Sequence, residues 1–155
     1  MAMEKENQRM EVLIDNRQNN LKIPLKKIKK TARAILNALD FPDGELSILI
    51  VGDQQIAKLN LAYLNTQGST NVIAFPMREG QFNEITPNLL GDVVISIETA
   101  QQEAHAACIS LQNRFNQLLI HGILHLLGYD HEQTQEEAER MEKKSNSLLA
   151  MLDEE

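Results

Sequence analysis

Residues 118–131, LLIHGILHLLGYDH, constrain the fold of this chain more than any other segment. The aliphatic residues are dense enough to require burial, yet three of the chain's four histidines fall between positions 121 and 131. His121 and His125 are four residues apart. In a helix that interval is ~40° of rotation and ~6 Å of rise, so both imidazoles leave one face. Gly128 follows three residues later, where helices commonly end in a left-handed conformation. The chain is then expected to double back and bring His131 beside the other two. Each histidine buried without a metal would need its own polar partner. Three neutral imidazoles meeting at a point suit Zn²⁺ and leave a fourth position open, although imidazole also suits Ni, Cu or Fe. His105, in EAHAA well before the cluster, reads as a surface or partner-facing residue and not as a ligand.

Three protein ligands and an open position are typical of catalytic zinc, because structural zinc is usually held by four protein groups. Metal-activated water at neutral pH makes hydrolysis the expected reaction class. The spacing of the three histidines and Gly128 is that of the long zinc-protease signature H-E-x-x-H-x-x-G-x-x-H. Gly122, however, stands where those proteases carry the glutamate that serves as general base. Without that carboxylate the protease reading loses its main support. As a small residue, Gly122 is also expected to leave room for a bulky substrate near the metal.

The rest of the chain frames this segment. At 155 residues a single domain is expected, spanning 1–155. The charged start, MAMEKENQRM, lacks the apolar stretch of a secretory signal, and no apolar run approaches membrane-spanning length. Cys108, the single cysteine, excludes an internal disulfide and is expected to be a small core residue. A reducing, cytoplasmic setting follows. Net charge is −7, but residues 22–33 (KIPLKKIKKTAR) hold six basic residues and no acidic one. The remaining nine basic and 22 acidic residues leave −13 elsewhere. Such a patch on an acidic body is either a solvated helix face or a local polyanion site.

Strands are expected at 10–14, 46–51, 71–75 and 91–96, the last two separated by a long Pro- and Gly-containing loop. Apolar residues at 25, 28, 32, 35, 36 and 39 predict a helix opened by Pro24. Asp53 is expected to cap a helix over 54–64, and Ser110 one over 111–127. A further helix is expected near 98–108. Thr134 and Glu137 form a capping box before the last helix. The fold class is therefore α+β, a small mixed four-stranded sheet packed on about five helices, one of them a zincin-like metal helix.

The segment HGILHLLGYDH resembles the H-G-x-L-H-L-x-G-Y-D-H motif of the YbeY family of bacterial rRNA maturation factors. LNLAY at 59–63, TNVIAFP at 70–76 and LLGDVVIS at 89–96 occur in that family's order, so the resemblance runs over roughly residues 46–142. It implies a metal-dependent, single-strand-preferring endoribonuclease acting in rRNA maturation and ribosome quality control, with zinc as the default metal for the three imidazoles. His121, His125 and His131 match its metal ligands. Implied partners are single-stranded or ribosomal RNA and the ribosome or small-subunit assembly factors, with no membrane. Two positions depart from the family. Leu64 stands where an Arg usually follows the Tyr, and Ala74 where Ser is common. Arg114 and Arg78 are candidate replacement cations, with a solvated surface Arg as the alternative for each. Asp130 is a candidate for orienting a histidine or accepting a proton, and Asp92 for orienting part of the site, with a purely structural role as the alternative for each. No general base is identified. A non-catalytic, ribosome-associated metalloprotein and a zincin-like peptidase remain the rival functions.

Overall fold

The computed structural model describes residues 12–77, 88–129 and 134–153. Among them are four strands: β1 (Val12–Asn16), β2 (Glu45–Val51), β3 (Val72–Pro76) and β4 (Leu89–Ser96). They form one sheet in the order β1-β2-β4-β3, with β1, β2 and β4 parallel and β3 running antiparallel at the edge. Five helices accompany them: α1 (Leu25–Ala38), α2 (Asp53–Leu64), α3 (Ile97–Ala106), α4 (Leu111–Leu126) and α5 (Gln135–Asp153). The mixed sheet and helix complement are those of the α+β class. No described helix is long and apolar enough to cross a membrane.

Strand alternation divides the core between the two faces of the sheet. Leu46, Ile48 and Ile50 of β2 and Val93 and Ile95 of β4 point into the larger cluster, with Ile28, Ala32, Ile35 and Leu36 of α1 and the apolar side of α4. Val51 and Val94 point the other way and pack with Ile73 of β3 and Ile56 of α2. The 3–4 spacing seen in residues 25–39 becomes a stripe of α1 buried at Ile28, Ala32, Ile35 and Leu36, while Leu25 at its start is exposed and Leu39 is the half-buried C-cap. Lys26, Lys27, Lys29 and Lys30 are exposed.

Two expectations fail here for identifiable reasons. Cys108 is not a core residue but an exposed one at φ +57°, just past the end of α3. There the Cys108 amide donates to the His105 carbonyl and the Ile109 amide to the Ala104 carbonyl, the paired bonds of a left-handed helix stop. Asp53 does not cap α2 from outside, because the helix begins at Asp53 itself after Gly52. Its side chain instead accepts from the Ser96 hydroxyl at 2.6 Å and from the Thr99 hydroxyl. Its amide donates to Glu98 at 2.7 Å. A junction between two helix starts thus replaces a local cap. By contrast, Ser110 accepts from the Asn113 amide at 3.0 Å and Thr134 from the Glu137 amide at 3.0 Å, each capping the helix that follows it.

Candidate metal centre

Helix α4 lies across β3 and β4. Leu118, Leu119, Ile123, Leu124 and Leu126 are buried in the core beneath it. His121 and His125 occupy one flank of the helix, half-buried, with their Nε2 atoms 3.1 Å apart and their rings 4.6 Å between centroids. Two nitrogens bound to one tetrahedral zinc at Zn–N distances of about 2.0–2.1 Å would be separated by about 3.3 Å. The spacing of the pair therefore fits two ligands of one ion.

Gly122 sits between them and faces the sheet. A β-carbon on it would meet Val93 Cγ1 at 2.6 Å and Val72 Cγ2 at 3.4 Å. The space that the sequence suggested was open to substrate is therefore filled by β4. Glycine here permits the helix to approach the sheet closely. Any longer side chain at this position would be driven into the core and not toward the histidines.

The end of α4 is built as its sequence predicts. Gly128 has φ +96°. Its amide donates to the His125 carbonyl at 3.0 Å, and the Tyr129 amide reaches the Leu124 carbonyl at 3.0 Å. This is a Schellman stop that reverses the chain directly after the second histidine. Arg140 of α5 lies 5.1 Å above the Tyr129 ring and ties α5 to the same turn. His131 and Asp130 lie outside the described residues, as does Arg78. Among the described residues no group of three or more His, Cys, Asp or Glu gathers for a metal. His105 is exposed in the last turn of α3.

The two arginine and aspartate candidates take different places. Arg114 is eleven residues before His125, just over three full turns, and shares its flank of α4. It is not a free surface cation. Its Nε and Nη2 lie 3.1 and 3.0 Å from Glu103 Oε1, and its Nη1 donates to Gln117 at 2.6 Å. Asn71 donates to the same carboxylate at 3.3 Å. Asp92 faces away from the histidines. It is paired with Phe75 in register and, with Val94, lies on the α2 side of the sheet. There Leu49, Leu59, Tyr63, Phe75, Asp92 and Val94 line a cavity of about 370 Å³. Tyr63 meets Phe75 edge-on at 5.7 Å between ring centroids. Ala74 alternates to the α4 face with Val93, and Leu64 is 49% exposed.

Two contributors were not found from sequence. Asn60 is buried, and its side chain donates to the Gly68 carbonyl at 3.1 Å while its own carbonyl accepts from Thr66. It thus holds the loop that carries the chain from α2 to β3. Glu103 neutralises Arg114. A polar residue within an apolar stretch was the available signal for Asn60. For Glu103 there was none, since its partner is eleven residues away on another helix.

A second polar site lies on the far side of α4. Lys26, Lys27 and Lys30 of α1 face Gln112 and Asn116 across a groove of about 620 Å³.

The endoribonuclease YbeY family model matches residues 13–153. An endoribonuclease YbeY of Geobacter sulfurreducens is 47% identical over 145 residues, covering 93% of this chain and 97% of the relative. That of Syntrophotalea carbinolica is 48% identical over 143 residues, covering 92% and 95%. That of Aquifex aeolicus is 41% identical over 131 residues, covering 84% and 85%. The solution structure of a Thermotoga maritima protein superposes with a TM-score of 0.64 at 22% identity, over 89% of this chain and 86% of that one, and shares the fold.

Proposed function

Because this chain belongs to the endoribonuclease YbeY family, and so to the hydrolases that act on RNA, we propose that it is a metal-dependent endoribonuclease of rRNA maturation and ribosome quality control. Residues 1–155 form one catalytic domain, working in the cytoplasm on single-stranded RNA and alongside ribosomal or small-subunit assembly partners. His121, His125 and His131 hold one metal ion, with zinc the choice that three imidazoles favour. The observation that carries this reading is the 3.1 Å separation of the two Nε2 atoms on a helix otherwise built of core residues.

When bound, zinc supplies Lewis acidity toward a phosphoryl oxygen and lowers the pKa of water. The chain supplies position. Helix α4 fixes two imidazoles rigidly because Leu119, Ile123 and Leu126 beside them are buried in the core, and the chain leaves the helix through the Gly128 stop directly after them. Arg114 is oriented by Glu103 and Gln117 on the same flank, so its charge is partly offset before any phosphate arrives. Gly122 and Val93 close the sheet side of the helix, so RNA must approach from the exposed flank.

The test is cleavage of a labelled single-stranded rRNA fragment by metal-loaded protein beside a His125→Ala variant prepared identically. Cleavage by the wild type alone is the expected result. Cleavage by neither would leave the family membership standing but move the function to docking or to an activity requiring the ribosomal particle. Equal cleavage by both would remove the metal-dependent assignment.

The non-catalytic, ribosome-docking reading is kept by one feature, Leu64 at the position where Arg is usual. Against a peptidase stands Gly122, whose β-position is occupied by Val93.

A further inference from the structure

The lysines of α1 are placed where helix physics disfavours them. Lys26 and Lys27 lie in the first turn of α1, at the positive end of the helix dipole, with no acidic residue in that turn and no side-chain cap from Pro24. Lys30 lies one turn further along the same side. All three are exposed, and among the described residues none has a carboxylate partner. They line one wall of the groove of about 620 Å³, with Gln112 and Asn116 of α4 on the other wall and Asp153 of α5 also lining it. Among the described residues that line it, three lysines against one aspartate give +2 in a chain of −7. A local excess of that sign, held at some expense to helix stability, suits a polyanion.

The location separates this groove from the histidines. Gln112 precedes His121, and Asn116 precedes His125, by nine residues each, which is two and a half turns, ~180° around the axis and ~13 Å along it. The groove and the imidazole pair therefore lie on opposite sides of one helix.

We propose that this groove is a second RNA-backbone site, which holds phosphates several nucleotides away from the bond being cut. This rests on the endoribonuclease reading and adds to it a substrate requirement. The RNA must be long enough, or folded suitably, to reach around α4. Fragments confined to the histidine flank gain nothing from the lysines.

The test is binding of a nuclease-resistant, labelled single-stranded RNA of about 20 nucleotides, longer than a typical single-strand site. Fluorescence anisotropy is followed over a salt series for three proteins: the wild type, Lys26→Ala/Lys27→Ala/Lys30→Ala, and a charge-matched Lys58→Ala/Lys143→Ala/Lys144→Ala. Circular dichroism verifies that all three fold. The groove variant is expected to bind at least about 10-fold more weakly, with its salt slope reduced by about 2, while the matched variant changes by less than about 3-fold. Equal losses in both variants, or none in either, would overturn the groove site. If such binding coexists with normal RNA cleavage, only this inference fails. No RNA binding by the wild type would overturn it together with the endoribonuclease reading. Retention on phosphatidylglycerol vesicles but not RNA, lost in the groove variant, would assign the groove to a lipid surface and overturn the RNA site.

Discussion

Gly122 packs on Val93 so tightly that a β-carbon would stand 2.6 Å from Val93 Cγ1. This contact sets the height of α4 above the sheet and hence where its flanking histidines emerge. Gly→Ala within a helix normally gains up to about 1 kcal/mol, but overpacking against a stiff, β-branched neighbour costs about 1–3 kcal/mol. Gly122→Ala is therefore expected to lose about 1–2 kcal/mol in urea unfolding, and Val93→Ala in the same chain should recover part of it. A gain in stability would show that the contact relaxes freely. Gly122→Glu should unfold the protein further and confer no peptidase activity.

Removing a ligand should separate metal binding from folding. His125→Ala is expected to lower metal affinity by on the order of 100-fold or more, since even outer partners of metal ligands are worth about 10–100-fold. Mass spectrometry of the purified proteins should read this as one ion on the wild type and near-loss of it in the variant. Chelation of the wild type should lower its thermal midpoint, whereas His125→Ala should respond little. Full metal occupancy in His125→Ala would end the ligand assignment.

Cys108 provides a test with the opposite sign. It is exposed and left-handed at φ +57°, a conformation costing a non-glycine residue about 1–2 kcal/mol. Cys108→Gly removes that strain, partly offset by the freer unfolded chain, and should stabilise by about 0.5–1 kcal/mol. The thermal midpoint should rise by about 1–4 °C. The same change run in reverse at another left-handed helix stop, Gly128→Ala at φ +96°, should destabilise by about 1 kcal/mol.

Leu64 can be exchanged at little structural cost because it is 49% exposed. Leu64→Arg restores the cation usual in the family. Should that cation act on the scissile phosphate, kcat/KM for single-stranded RNA rises by about 10-fold or more, within the range of charge-assisted stabilisation. An unchanged rate with unchanged stability would show that the chain does not use this position for phosphate.

What the sequence by itself determined was everything encoded at short range. The 3–4 spacing of residues 25–39 and the Ser110 cap are such features, as are the shared face of His121 and His125 and the Gly128 stop. Each depends on a local period or one backbone conformation, so neighbouring residues suffice to specify it. What only the tertiary structure decided were pairings between elements distant in the chain. Asp53 looked like a cap and became a partner of Ser96 and Thr99, because α2 and α3 begin side by side. Arg114 looked solvated or available and is instead held by Glu103. Asp92 looked adjacent to the site, but strand alternation turns it to the opposite face of the sheet. Cys108 looked like core and is a helix terminus. Gly122 looked like room for substrate and is contact with Val93. For Asp53, Arg114, Asp92 and Gly122 the physical reason is that a side chain's surroundings come from whichever element packs against it, and packing order is not a local property of the chain. Cys108 differs, being a local left-handed stop with no glycine to mark it in the sequence.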